Sequence, residues 1–329
     1  MALYIGLCIV GFILLYFGAE WLVKGSSSLA KSLGISPVVI GLTVVAFGTS
    51  APELVVSVIS SVQDKSMIAV GNVIGSNICN IALVLGLSAL FQPIVAHSSV
   101  VRRDIPLMLL ISVVLLIMSV DSRLTRLEGV FLVIGIISYT LFNYYLGVKE
   151  TKSGKAMEDV MEDLGVEEVE YVAQRWKQIV LVIIGIAGVV GGAKLVVESA
   201  VYIMTYLGVS EKFIGLTVVA FGTSLPELAT SVVAAVRKEL DISIGNLVGS
   251  NVFNILSVLG AAALVRPIPI PGGFFESGLF IDYIVMMVTS FLPWLMMRKT
   301  NTISRIDGGI LLACYVGYLV YLITKTMWL

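Results

Sequence analysis

Long apolar runs, rather than alternating apolar and polar positions, dominate this chain. Ten can be marked, at roughly 3–24, 37–62, 67–90, 104–120, 127–147, 177–205, 212–236, 242–264, 279–297 and 306–325. A helix needs about 20 apolar residues to cross a bilayer, so the pattern predicts an all-α membrane protein with ten transmembrane helices. Six runs read as plain apolar helices. The second, third, seventh and eighth are interrupted by Gly, Pro, Ser, Thr and Asn, which predicts broken helices there. The first run, MALYIGLCIVGFILLYFGAEWLVKG, lacks the basic start of a cleaved leader and is too long for one. It reads as a retained first helix.

Residues 149–175 break the pattern. They are polar and acidic, with Glu150, Glu158, Asp159, Glu162, Asp163, Glu167, Glu168 and Glu170. They divide the chain into an N-terminal five-helix unit (1–148), an acidic loop (149–175) and a C-terminal five-helix unit (176–329). The plain reading of the loop is a solvated linker. A regulatory Ca²⁺ site would need a spacing such as that of the EF-hand, which is absent.

The two units repeat each other. Residues Gly34 to Ile94 align without a gap onto Gly208 to Ile268, with about 34 of 61 positions identical. GLTVVAFGTSAPEL (41–54) answers GLTVVAFGTSLPEL (215–228), and GNVIGSNICNI (71–81) answers GNLVGSNVFNI (245–255). Gly18-Ala19 and Gly192-Ala193 extend the match to the first helix of each unit. Arg126-Leu127-Glu128-Gly129 and Arg305-Ile306-Asp307-Gly308 extend it to the fifth. Because five is odd, equivalent helices cross the membrane in opposite directions. That is the inverted-repeat plan of secondary transporters, whose sites lie near mid-membrane at the repeat interface.

Composition narrows the reading further. The chain is 58% hydrophobic and 13% charged, about half the charged fraction of a soluble domain. Net charge is −1, and no basic patch exists to neutralise phosphates, so no nucleic-acid partner is expected. Cys8, Cys79 and Cys314 lie far apart in apolar runs and form neither a disulfide framework nor a metal motif. A single His97 argues against a histidine-based zinc site. Of the 21 Lys and Arg residues, 14 fall on one side of the ten-helix plan and six on the other, with Lys194 inside a helix. The excess marks the cytoplasmic side. It places the protein in the cell membrane with both termini outside and the acidic loop in the cytoplasm.

The candidate chemistry sits in the interrupted runs. In Gly48-Thr49-Ser50-Ala51-Pro52-Glu53 and Gly222-Thr223-Ser224-Leu225-Pro226-Glu227, proline removes an amide donor and glycine lets the backbone leave helical geometry. Such a break at membrane depth is tolerated only where it lines a cavity or is buried in protein. The carbonyls of Ala46 and Ala220 become natural cation ligands. Thr49 and Glu53, Thr223 and Glu227, Ser76 and Asn80, and Ser250 and Asn254 are each four apart, which on a helix gives four oxygen-bearing faces. Two ionised glutamates near the bilayer centre cost several kcal/mol unless protons or cations offset them. The surrounding donors are hard oxygens, suited to Ca²⁺, Na⁺ or Mg²⁺. Ca²⁺ is the better divalent fit, since it accepts irregular shells of about 6–8 oxygens. Helix-to-helix hydrogen bonding is the competing reading for Ser76, Asn80, Ser250 and Asn254. Asn72, Asn77, Asn246 and Asn251 read as braces for the broken backbone. Cys79 reads as packing, and Gly188 with Gly192 as a close helix contact.

These motifs resemble the two α-repeats of the cation/Ca²⁺ exchanger superfamily. The chain is most similar to the prokaryotic Na⁺/Ca²⁺ exchangers, and the likeness covers essentially its whole length. The resemblance implies secondary-active antiport, with Na⁺ entry driving electrogenic Ca²⁺ extrusion by alternating access as the first and sixth helices slide across the core. It implies Ca²⁺ binding by Glu53, Glu227, Thr49 and Thr223. It implies Na⁺ sites that draw also on Ala46, Ser50, Ser76, Ala220, Ser224 and Ser250, with Asn80 and Asn254 at a central position. No cofactor is implied, only the transported ions and the bilayer. Some relatives carry Asp where Asn254 stands; here the site charge is −2, matched by one Ca²⁺, which argues against a K⁺-dependent variant.

Three other readings compete. A H⁺/Ca²⁺ antiporter would place protons on the glutamates, but it leaves the extra Ser, Thr and carbonyl ligands without a role. A membrane-embedded dicarboxylate hydrolase calls for unlike environments around its two carboxylates, whereas these surroundings are nearly duplicated. A passive channel does not account for inverted repeats.

Overall fold

The computed structural model describes residues 1–152, 172–208 and 220–327, with 150–152, 220 and 325–327 as backbone only. Most of the acidic loop and the start of the seventh apolar run, including Lys212, lie outside the described residues. The architecture is all-α. Its helices are α1 (Ala2–Leu33), α2 (Pro37–Thr49), α3 (Ala51–Val62), α4 (Ser66–Phe91), α5 (Ile105–Ser119) and α6 (Arg126–Lys152), followed in the second half by α7 (Arg175–Tyr206), α8 (Leu225–Val236), α9 (Leu240–Val265), α10 (Leu279–Met297) and α11 (Arg305–Met327). The short helices α2 and α3 form one bent span, and α8 follows a short turn of helix at Ala220–Gly222. Each of the ten apolar runs is thus represented by helix among the described residues, five in each repeat.

Burial separates centre from periphery. The most apolar stretches of α4 and α9 are 78% buried, against 11% for α11 and 22% for α1 and α6. The exposed faces of the outer helices carry large apolar side chains such as Leu3, Leu127, Phe131 and Ile306. A contiguous apolar surface of this kind belongs in lipid.

Interruption of the apolar runs takes two forms. Between α2 and α3 the axis turns by 46°, at Ser50, whose φ of −83° and ψ of 6° leave the helical region. Ser224 repeats this with φ −88° and ψ 5°. Pro52 and Pro226 fall in the first turns of α3 and α8, where a missing N–H costs nothing. In the third and eighth runs the helix continues, but it widens to π geometry at Cys79–Leu85 and Asn254–Leu259. π-bulges of this kind are frequent at functional sites.

The two repeats interlock as an inverted pair. Strand β1 (Ile94–Val95) pairs antiparallel with β4 (Thr302–Ile303), while β2 (Arg123–Leu124) pairs with β3 (Ile268–Pro269). Each bridge therefore joins a strand after the third helix of one unit to a strand before the fifth helix of the other. α6 and α11 begin in equivalent capping boxes. Thr125 N–H donates to Glu128 Oε2 at 2.7 Å, and Ser304 N–H to Asp307 Oδ2 at 2.9 Å.

α1 runs past the expected end at residue 24, because its C-terminal third packs on protein rather than ending in a loop. Ser26, Ser27 and Ser28 are buried, and Gly34, with φ 65°, terminates the helix. α1 lies against α7 at backbone distance: a Cβ on Gly18 would sit 2.6 Å from Val189 N, and one on Gly192 2.7 Å from Gly11 O. Gly188 and Gly192 thus make the close helix contact read from the sequence. A bidentate ion pair from Arg237 to Glu20 at 2.8 Å, with Ser27 Oγ donating to Glu239 at 2.7 Å, ties the second half of α1 to the α8–α9 turn. The three cysteines are free, and Cys79 is buried in the main core.

Candidate functional site

The two repeats meet where α2, α3 and α4 face α8 and α9. Glu53 lies in the first turn of α3, and Glu227 in the first turn of α8. A helix N-terminus carries about half a positive charge and favours an anion, so each broken helix offsets part of the charge of its own carboxylate. Both glutamates are fully buried. So are Thr49, Asn80, Ser224, Ser250 and Asn254, with Ser50 and Ser76 no more than 3% exposed.

Hydrogen bonds hold the glutamates from within their own repeat and from across it. Ser50 Oγ donates to Glu227 Oε1 at 3.0 Å, while Ser76 Oγ donates to Glu53 Oε1 at 3.4 Å. Thr49 Oγ1 lies 3.4 Å from Ser250 Oγ and donates to Asn246 Oδ1 at 3.1 Å. In the other copy Thr223 Oγ1 donates to Asn72 Oδ1 at 3.5 Å. Thr49 also borders the Glu227 carboxylate, and Thr223 that of Glu53. Each expected pair, Thr49 with Glu53 and Thr223 with Glu227, is split by the bend at Ser50 or Ser224. Each threonine serves the glutamate of the opposite repeat. The cause is the break: the i, i+4 rule holds only along one continuous helix, and Ser50 and Ser224 interrupt it between the two members.

Ser76 with Asn80, and Ser250 with Asn254, lie on continuous helices and do reach the centre together. The Ala46 carbonyl accepts both Ser50 N–H at 3.0 Å and Thr49 Oγ1 at 3.4 Å, which places its oxygen beside Thr49. Ala220 opens the short turn before Thr223, described as backbone only. Glu53 Oε2, Glu227 Oε2, Asn80 Oδ1, Asn254 Oδ1 and Ser224 Oγ are buried and meet no donor among the described residues. Buried oxygens without partners are rare, and hard oxygens such as these suit cations of the Ca²⁺ and Na⁺ type. Among the described residues no group of three His, Cys, Asp or Glu occurs, so the negative charge rests on the two glutamates. A pocket lined by Phe47, Ser50, Ala51, Leu54, Phe253, Ser257 and Val258 reaches Ser50, one hydrogen bond from Glu227.

The asparagines do more than the sequence reading gave them. Asn72 Nδ2 donates to the Glu53 carbonyl at 3.3 Å and to Ser57 Oγ at 3.0 Å, and its oxygen takes Thr223. Asn246 does the same through Ser231 Oγ at 3.0 Å and Thr49. A signal for this was present: Asn72, Ser76 and Asn80 recur every four residues, as do Asn246, Ser250 and Asn254.

Comparison with known proteins identifies the family. The family model for sodium/calcium exchanger proteins matches residues 3–145 and 177–324. The chain is 38% identical over 328 residues to inner membrane protein YrbG of Escherichia coli K12, covering 98% of this chain and 96% of that one. It is 33% identical over 342 residues to sodium/calcium exchanger MaX1 of Methanosarcina acetivorans, covering 95% and 97%. The solved structure of the sodium-calcium exchanger NCX_Mj superposes with a TM-score of 0.81 at 34% identity, covering 97% of this chain and 98% of that one. The chain, an inverted pair of five-helix repeats closed around two buried glutamates, belongs to the sodium/calcium exchanger family of membrane transporters.

Proposed function

We propose that this protein is a Na⁺/Ca²⁺ antiporter that expels Ca²⁺ by alternating access. The observation that carries this reading is the central shell: two buried carboxylates and, beside them among the described residues, neutral hydroxyl and amide oxygens. A formal charge of −2 is balanced by one Ca²⁺ or by a set of Na⁺ ions. Either occupancy excludes the other, and the cycle is electrogenic if more than two Na⁺ move per Ca²⁺. In this reading Glu53, Glu227, Thr49 and Thr223 hold Ca²⁺. Ser50, Ser76, Ser224, Ser250 and the carbonyls of Ala46 and Ala220 complete the Na⁺ sites, and Asn80 and Asn254 flank the centre.

The expected result is Ca²⁺ uptake into vesicles driven by an outward Na⁺ gradient with the pH gradient collapsed. Uptake that vanishes under those conditions, and returns with a pH gradient alone, assigns the counter-ion to H⁺ instead.

The same reading places residues 149–175 in the cytoplasm between the units 1–148 and 176–329, with both termini outside. It is supported by the way contacts group the loops. Arg175 donates to the Ser32 carbonyl and Arg237 to Glu20 on one face, while Arg266 pairs with Asp64 and Arg126 donates to the Val265 carbonyl on the other. Cysteines placed at Lys65 and at Lys238 test it. An impermeant thiol reagent applied to intact cells labels the first and spares the second; the reverse pattern overturns the orientation.

A further inference from the structure

Four asparagines form a closed arrangement between the repeats. Asn77 Nδ2 donates to the Asn251 backbone carbonyl at 3.3 Å, and Asn251 Nδ2 to the Asn77 backbone carbonyl at 3.4 Å. Asn254 Nδ2 donates to Asn77 Oδ1 at 3.0 Å, and Asn80 Nδ2 to Asn251 Oδ1 at 3.2 Å. All four side chains are at most 1% exposed.

The two ends of an amide differ only by their hydrogen bonds, so its orientation must be argued from the network. A backbone carbonyl can only accept. The end of Asn77 beside the Asn251 carbonyl is therefore its NH₂, and its oxygen faces the other way. That oxygen can only accept, so Asn254 must present its NH₂ to it. Asn254 Oδ1 is then turned away from Asn77. The same chain of constraint runs from the Asn77 carbonyl through Asn251 to Asn80. Its result is visible: Asn80 Oδ1 and Asn254 Oδ1 are two of the buried oxygens that meet no donor among the described residues. Turned the other way, both residues would aim N–H groups at that space and place oxygen against oxygen at Asn77 and Asn251.

We propose that Asn77 and Asn251 are positioning residues that hold the Asn80 and Asn254 amides oxygen-inward, giving the central position two neutral oxygens and no N–H. The proposal rests on the reading of that centre as a cation site. A cation there is attracted by a carbonyl dipole and repelled by an amide N–H, so orientation sets affinity as directly as residue identity does. The exchange between Asn77 and Asn251 needs both repeats together, which makes the central ligands a property of the closed inverted pair.

Equilibrium binding of radioactive Ca²⁺ to the purified full-length protein tests this in two backgrounds. A carboxylate presents oxygen whichever way it turns, so Asn254→Asp removes the need for orientation at that position. Asn77→Ala is expected to weaken Ca²⁺ binding by about tenfold when Asn254 is present, the upper end of a typical net hydrogen bond, and not to weaken it beside Asn254→Asp, where a carboxylate oxygen already faces Asn77 Oδ1. Equal losses in both backgrounds, or no loss in either, overturn the proposal. The mirror pair, Asn251→Ala with and without Asn80→Asp, repeats the test if Asn77→Ala does not fold. Glu53→Gln in the same assay separates the two readings. If it leaves binding intact, the site assignment itself fails. If it removes binding while the Asn254→Asp rescue is missing, only the positioning role fails.

Discussion

Glu53→Gln and Glu227→Gln each lower Ca²⁺ exchange by at least about a hundredfold. The side chains are fully buried, and with either one neutralised a bound Ca²⁺ faces a single negative charge. An uncompensated charge in such a setting costs several kcal/mol, and every 1.4 kcal/mol is about tenfold in affinity. Glutamine keeps the shape and one oxygen, so it can still accept from Ser76 at position 53 and from Ser50 at position 227. The fold should therefore survive, and an unchanged melting temperature would confirm it. The pseudo-symmetric geometry also requires losses of similar size in the two variants. Gradient-driven Ca²⁺ flux in reconstituted vesicles is the measurement, and near-normal exchange in either variant removes these glutamates from the site.

Why the glutamates were legible and some of their neighbours were not follows from the chain itself. A carboxylate inside an apolar run is costly, and one recurring at an equivalent position in a second copy leaves little room for chance. The ten spans and the inverted pairing follow from the apolar runs and the odd helix number. Contacts set by the break are another matter. The rule that places Thr49 beside Glu53 assumes an unbroken helix, and Ser50 is where the helix stops. The extent of α1 was hidden because Lys24 and Ser26–Ser28 look like the end of a span. They are the part of the helix that leaves lipid and packs on protein. The interruptions at Asn80 and Asn254 were legible as polar positions in apolar runs. Their π form was not, because a widened turn keeps nearly all its hydrogen bonds and demands no Gly or Pro. The link between Asn77 and Asn251 depends on bringing together residues 174 positions apart, which no local pattern encodes.

Gly249→Ala lowers Ca²⁺ affinity by tenfold to about a hundredfold without touching a candidate ligand, because a 1 Å misplacement caused from outside a site can cost about that much. Gly249 is where α9 meets α2 at backbone distance. A Cβ there would lie 2.7 Å from the Leu42 carbonyl oxygen and 2.8 Å from Ala46 Cβ. Carbon atoms pack comfortably at about 3.5–4.0 Å, so the two helices must part by something like 0.7 Å or more. Leu42 and Ala46 are backbone neighbours of Thr49 on α2, and Gly249 precedes Ser250 on α9. The displacement therefore falls on the contacts that join the repeats at the site, Thr49 with Ser250 at 3.4 Å and with Asn246 at 3.1 Å. Ca²⁺–oxygen distances span only about 2.3–2.6 Å, so a shell shared by both helices cannot absorb such a shift. Gly317→Ala, on α11 where a Cβ meets nothing within 4 Å, is the matched control and should leave affinity unchanged. Should Gly249→Ala bind Ca²⁺ as tightly as the control, the shell does not span α2 and α9. The close approach of those helices would then serve only packing. If affinity falls as expected while the protein still melts cooperatively, the glycine is what sets the distance between the two halves of the site.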